Sequence, residues 1–165
     1  MAEKILIWAQ TNNGTIANNG EIPWQEKADM KFFRQQTTQQ VVVMGRNTMI
    51  AFHGHALPNR INLVLTHDKD LVVPEGFQKV YSKAEAEKIA DDAGKKLAVI
   101  GGKGIYQSYL TDADILYVTY LDTDFHGDVL MEPIDKTIWE GTSFATGSAD
   151  DDNDFDYEVV KFTRR

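Results

Sequence analysis

Short runs of β-branched and aliphatic residues alternate along this chain with segments of helical pattern, and no other feature constrains the fold as much. KILIWAQ reads as a buried strand and QEKADMKFFRQQ as a helix; QVVVMG, RNTMIAF and INLVLT follow as strand, short helix and strand. GFQKVY is a further strand. SKAEAEKIADDAG is a helix with Ser82 as N-cap, Glu85 three residues on and Gly94 past its end. KKLAVIGG, KGIYQSYL and DILYVTYLD give strand, helix and long strand, and an acidic loop leads to a closing strand in FDYEVVKFTRR. The alternation predicts an α/β fold with a mainly parallel central sheet and helices on both faces. No helix separates the last two strands, so the C-terminal strand is expected to pair antiparallel.

The length of 165 residues suits a single domain over 1–165 with a real core. Cysteine is absent, which removes disulfides and a thiol nucleophile from consideration. The net charge of -8 argues against nonspecific nucleic-acid binding, which needs a basic face. MAEKILIWAQ is too short an apolar run for a signal peptide or a membrane span.

Two strand ends carry the chemistry. In VVVMGRNTM a hydrophobic strand ends in Gly45, and Arg46, Asn47 and Thr48 open a helix. Unpaired N–H groups at such a start attract anions, and the Arg46 guanidinium suits a phosphate. The same corner also serves as a plain turn with an exposed arginine. LAVIGGKGIYQSYL repeats the plan through Gly101, Gly102, Lys103 and Gly104, where glycines let a diphosphate approach the backbone. It matches neither the G-x-G-x-x-G nor the G-x-x-x-x-G-K-[ST] fingerprint. Two such corners in one small α/β domain favour a nucleotide. Thr66 and His67, closing the strand NLVLTH, would join Arg46 around an extra phosphate such as that of NADP.

Asp29 raises a different question. It stands one turn before Phe33, on a helix face expected to be buried. An acid in a first helical turn also suits the dipole and can simply face water. The alternative is a partly buried carboxyl with a raised pKa, placed to bind a basic heterocycle. In SADDDNDFD, Asp150, Asp152 and Asp154 are spaced like calcium ligands, but Phe155 and Lys161 occupy the places of the required glycine and glutamate, so a solvated loop is expected. His53 and His55 have no acidic or cysteine partner nearby, and no metal is expected.

Taken in order, ILIWAQ, GTIANNGEIPW, ADMKFFRQQT, VVMGRNTM, LPNR, NLVLTH, VIGGKGIY, LYVTYLD and FHGD resemble the dihydrofolate reductases of the bacterial, chromosomally encoded type, nearly end to end. The resemblance implies NADPH-dependent reduction of 7,8-dihydrofolate to tetrahydrofolate, with hydride delivered to C6 and a proton to N5, in support of one-carbon metabolism. Asp29 matches the family's single active-site acid, which binds the 2-amino group and N3 of the pteridine, and Thr119 the threonine that hydrogen-bonds it. Ile22 and Trp24 join the catalytic group by the same matching.

Ile7, Trp8, Ala9, Met30 and Phe33 would line the substrate site, with Phe52, Leu57 and Ile100. Arg60 would pair with the glutamate α-carboxylate. Ala9, Ile16 and Gly20 would lie at the nicotinamide side of the cofactor site. Arg46, Leu65, Thr66 and His67 would hold the 2′-phosphate end, and Gly45, Asn47 and Thr48, with Ile100 to Tyr106 (Ile105 included), the diphosphate and nearby ribose. Gly14 to Trp24 would form a mobile loop over the site. A cytoplasmic monomer is implied, binding dihydrofolate and antifolate-type inhibitors, with no nucleic-acid or membrane partner.

The chain departs from the family pattern at Ala17, where glycine is usual, and at Glu26 and Lys27, where a hydrophobic residue and a proline are common. Met49 replaces an aromatic. The related reductases of riboflavin biosynthesis share the fold, but Asp29 and Arg60 favour folate. An NADPH sensor without turnover would leave both residues without a role.

Overall fold

The computed structural model describes all 165 residues, and the strands, in chain order, make an eight-stranded sheet ordered β5-β4-β3-β6-β1-β7-β10-β9 and a two-stranded ribbon β2-β8. These are β1 (Lys4–Thr11), β2 (Thr15–Ala17), β3 (Val41–Met44), β4 (Ile61–Leu65), β5 (Phe77–Val80), β6 (Leu97–Val99), β7 (Ile115–Leu121), β8 (Val129–Leu130), β9 (Trp139–Gly147) and β10 (Tyr157–Arg164). The helices are α1 (Lys27–Thr37), α2 (Arg46–Ala51), α3 (Lys83–Ala93) and α4 (Lys103–Tyr109). No helix is long and apolar enough to cross a membrane. The chain forms two compact units: Met1–Leu6 with Gln36–Ala113, and Ile7–Gln35 with Asp114–Arg165.

In the first unit β5, β4, β3, β6 and the start of β1 are parallel neighbours, with Val43 opposite both Leu63 and Val99. Val41 to Met44 and Leu97 to Val99 are buried without exception, as expected of strands covered on both sides. The charged residue that opens β1, Lys4, is buried and reaches Glu87 of α3 at 3.1 Å. Helix α3 occupies the bounds its sequence predicts. The Ser82 hydroxyl accepts from the Glu85 N–H at 3.1 Å, and Gly94 ends the helix at φ 66°. The Glu85 carboxylate reaches back to the Tyr81 N–H at 3.0 Å, one residue beyond the N-cap N–H that the usual capping box engages.

In the second unit β10 pairs antiparallel with β7 on one side and with β9 on the other, shifting register between Val159 and Val160. The antiparallel C-terminal strand is as expected. Strands β2, β8 and β9 are additional to the sequence reading. Helix α1 buries Phe32, whose ring meets Tyr117 edge-on at 5.3 Å and Phe144 at 5.7 Å. Burial of that ring contributes about 2 kcal/mol, and the next aromatic, Phe33, falls on a different face of the helix. Asn18 and Glu21 exchange both backbone hydrogen bonds around Asn19-Gly20, whose φ values of 52° and 78° are those an Asn-Gly hairpin turn requires.

Candidate active site

The acid expected on α1 lies in the second unit. Asp29 is half-buried in the first turn of the helix, and the Thr119 hydroxyl, from the middle of β7, donates to its Oδ1 at 2.8 Å. Thr119 is 1% exposed, so the donor side of this bond is shielded from water. Burial pushes the Asp29 carboxyl above its ordinary value of 3.8, and the Thr119 hydrogen bond, which favours the ionised form, opposes that shift without cancelling it. The arrangement is a carboxyl able to keep a proton where a surface aspartate would not, with one oxygen already engaged.

Replacing Thr119 by valine keeps the volume and removes the donor. The alkaline limb of the pH–rate profile is then expected at higher pH than in the parent, because the carboxylate loses its stabilising partner. A titration of turnover against pH measures this directly.

Ile7 and Trp8, on β1, are buried in this unit, and Ala9 is half-buried beside them in sequence. Phe33 is half-buried on the helix face of Asp29, while Met30 is 55% exposed. Ile16 is half-buried in β2, and Gly20 lies at the exposed hairpin turn. Ile22 is 66% exposed and makes no part of a packed site, whereas Trp24 is half-buried. Ala17 sits in extended β2 backbone opposite Val129, so the conformational freedom of a glycine is not called on there. The Asn19 N–H that follows is held by Asp128 at 3.0 Å.

The anion-binding corners lie in the first unit, side by side at the C-terminal ends of parallel β4, β3 and β6. Val43 is level with Val99 and Met44 with Val64, so Gly45 and Gly101 lie two residues past one pair and Arg46 and Thr66 two past the other. The Gly45 N–H donates to the Gly101 carbonyl at 2.9 Å. A Cβ on Gly45 would come within 2.9 Å of Ile105, and one on Gly101 within 3.2 Å of the Tyr106 hydroxyl and 3.4 Å of the Thr48 hydroxyl. Gly101 also has φ +120°, a region side chains avoid. Both glycines are therefore required for the two strand ends to close together, and the cradle suits a diphosphate backbone of the kind NADPH carries.

Around this corner Arg46, Asn47 and His67 are exposed, Thr48, Leu65 and Thr66 half-buried, and Tyr106 and Ile100 buried. Lys103 and Gly102 are half-buried and Gly104 is exposed. The Thr66 hydroxyl also accepts from the Asp68 N–H at 3.0 Å, which holds the strand end in a turn. Phe52 and Leu57 are half-buried, and the Arg60 guanidinium donates to the Thr38 hydroxyl at 3.2 Å.

Three features escaped the sequence. Asn62, buried in β4, accepts from the Leu57 N–H at 3.0 Å and donates to the Leu57 and Arg60 carbonyls at 2.9 and 3.2 Å, fixing the LPNR turn. A polar residue within a hydrophobic strand was the available signal. The acidic segment 148–156 is not merely a solvated loop: Asn153 is 8% exposed and its side chain accepts from the Ala28 N–H of α1 at 2.9 Å. Glu26, read as a charged departure from the family pattern, is 3% exposed and accepts from the Phe155 N–H at 2.5 Å. The acids are spent on backbone N–H groups of turns and helix starts, which a count of charges does not reveal. No group of three or more His, Cys, Asp or Glu side chains is placed to hold a metal ion.

The family model described as dihydrofolate reductase matches residues 4–164. The chain is 33% identical over 160 residues to the dihydrofolate reductase of Enterococcus faecium, with 97% of this chain and 96% of that one covered. It is 34% identical over 160 residues to that of Haemophilus influenzae, at 97% and 98% coverage. Among solved structures, a dihydrofolate reductase from Enterococcus faecalis complexed with NADP(H) and RAB-propyl matches with a TM-score of 0.86 and 31% identity, covering 99% of this chain and 96% of that one.

Proposed function

This chain belongs to the dihydrofolate reductase family, and from that premise we propose which of its residues carry the reaction. The activity is NADPH-dependent reduction of 7,8-dihydrofolate to 5,6,7,8-tetrahydrofolate. One hydride and one proton are added across the C6–N5 bond. NADPH, when bound, supplies the hydride; the rest of the chemistry falls to the protein.

The Asp29–Thr119 hydrogen bond is the observation that carries the assignment. Asp29 binds the 2-amino group and N3 of the pteridine, a paired donor face that a carboxyl fits. Burial raises its pKa, which makes it a better proton holder than a surface aspartate and favours the N5-protonated substrate. Thr119 fixes the carboxyl rotamer and limits the rise. Ile7, Trp8, Ala9, Met30 and Phe33 supply the apolar walls, with Ile22 and Trp24 on the segment that screens the reaction from water. Phe52, Leu57 and Ile100 complete the substrate contacts, and Arg60 takes the glutamate α-carboxylate.

Gly45, Asn47, Thr48 and the Ile100 to Tyr106 turn hold the diphosphate and ribose, while Arg46, Leu65, Thr66 and His67 hold the 2′-phosphate end. Ile16, Gly20 and Ala9 meet the nicotinamide. We read the two compact units as parts of one reductase domain, acting as a cytoplasmic monomer, with antifolate-type inhibitors competing for Asp29.

The test is absorbance loss of NADPH with and without dihydrofolate, repeated on Arg46→Ala. Oxidation should depend on dihydrofolate. The variant should lose roughly tenfold to a hundredfold in NADPH affinity, the range for a charge-assisted contact, with NADH little changed. Equal losses for both cofactors would remove Arg46 from the 2′-phosphate site.

A further inference from the structure

We propose that Asn153 and Glu26 are positioning residues for Asp29, clamping the first turn of α1 from a loop more than a hundred residues away; this rests on the reading of Asp29 given above.

The first N–H groups of a helix have no partner within it. An N-cap side chain normally comes from the residue just before the helix. Here that residue is Glu26, and its carboxylate turns away to the Phe155 N–H. The vacant role is filled across the chain. The Ala28 N–H donates to Asn153 Oδ1 at 2.9 Å, and the Lys27 N–H to the Asp152 carbonyl at 3.1 Å. Asp29 is the next residue.

Asn153 is itself immobilised. Its Nδ2 donates to Asp150 Oδ1 at 3.0 Å, and its backbone exchanges hydrogen bonds with Asp150 at 2.9 and 3.3 Å. The same Asp150 oxygen accepts from the Asp152 N–H at 2.8 Å. Gln25 is tied to Asp154 by two further bonds, of 2.7 and 2.8 Å. The helix start is thus gripped on consecutive residues by a loop that is already rigid.

Glu26 holds the same loop from the helix side. It is 3% exposed, and its Oε1 accepts from the Phe155 N–H. Its backbone also bridges to Asn153, so the two residues face each other across the clamp. The nearest cation in sequence, Lys27, pairs with Asp152 at 3.1 Å on the surface.

The experiment compares wild type, Asn153→Ala, Asn153→Asp and Glu26→Ala for kcat, for KM toward each substrate, for the pH dependence of kcat and for melting temperature. Dihydrofolate-dependent NADPH oxidation by the wild type is established first. Its absence would sink the functional reading, and the clamp would then be decided by the Asp29 carboxyl titration, followed by NMR in the same variants. Asn153→Ala should lower kcat by at least about twofold, the ratio equivalent to the low end for a lost cap, with KM for NADPH unchanged. Asn153→Asp keeps the acceptor for the Ala28 N–H but loses the donor to Asp150, so it should recover only part of the loss. Glu26→Ala removes the acceptor of the Phe155 N–H and should lower kcat, with KM for NADPH unchanged.

A folded Asn153→Ala with a lower melting temperature but unchanged kcat and pH profile would make the contact structural only and overturn the proposal. An unchanged kcat in a folded Glu26→Ala would overturn the part assigned to Glu26. If Asn153→Ala fails to fold, Asn153→Asp and Glu26→Ala decide by the same criteria.

Discussion

Asp29→Asn is expected to lower turnover near neutral pH by about a hundredfold to ten-thousandfold, the range for a lost acid–base group, while the protein becomes harder to melt. Both effects come from the same burial. The folded carboxyl binds its proton more tightly than the unfolded one, whose ordinary value is 3.8. Stability therefore falls as pH rises from the unfolded value through the folded one, and above that window the penalty is complete. Asparagine cannot ionise and escapes it. The gain in melting temperature should be present at neutral pH and vanish in acid below the unfolded value. Stopped-flow hydride transfer and thermal melts at several pH values measure the two together. Retained turnover would take Asp29 out of the mechanism, and a lower melting temperature at neutral pH would contradict the raised pKa.

The second large effect is expected at Gly101. A methyl group there would adopt φ +120°, at a cost of about 1–3 kcal/mol, and approach the Tyr106 hydroxyl to 3.2 Å. The Gly45–Gly101 closure is where that strain has to be absorbed. Gly101→Ala should melt earlier and bind NADPH at least about tenfold more weakly, a ratio worth about 1.4 kcal/mol. Isothermal titration of NADPH and a thermal melt check it. Parental affinity would show that the corner tolerates a side chain and is not the diphosphate cradle.

Much of this was legible in the residues, though unevenly. Helix α3 could be bounded because Ser82 and Gly94 each act on the nearest turn. The parallel strands were readable because residues such as Val41 to Val43 are buried on both faces and leave no polar alternation. Strand β9 was not: WEGTSFATG has few β-branched residues, and its side chains are exposed from Glu140 to Thr146. It is a strand because β10 offers it an edge. Asp29 was visible as an anomaly, but its partner Thr119 lies 90 positions away, and only family resemblance linked the two. The grip of Asn153 on α1 had no local signature at all, and the surrounding acids pointed toward solvent instead.

Asn62 uses a side-chain amide to do for Leu57 what a neighbouring strand does for a backbone, matching one donor and one acceptor at once. The LPNR turn is consequently indexed to the sheet by a group that ignores the identity of the residues it holds. Pro58 and Asn59 are exposed, and Asn59 takes the left-handed φ of 60° that the turn needs, while Arg60 keeps its address. The position that cannot drift is the one in the strand. Aspartate lacks the donor and leucine lacks both functions, so the heritable record of where the turn sits is kept in β4 and not in the turn.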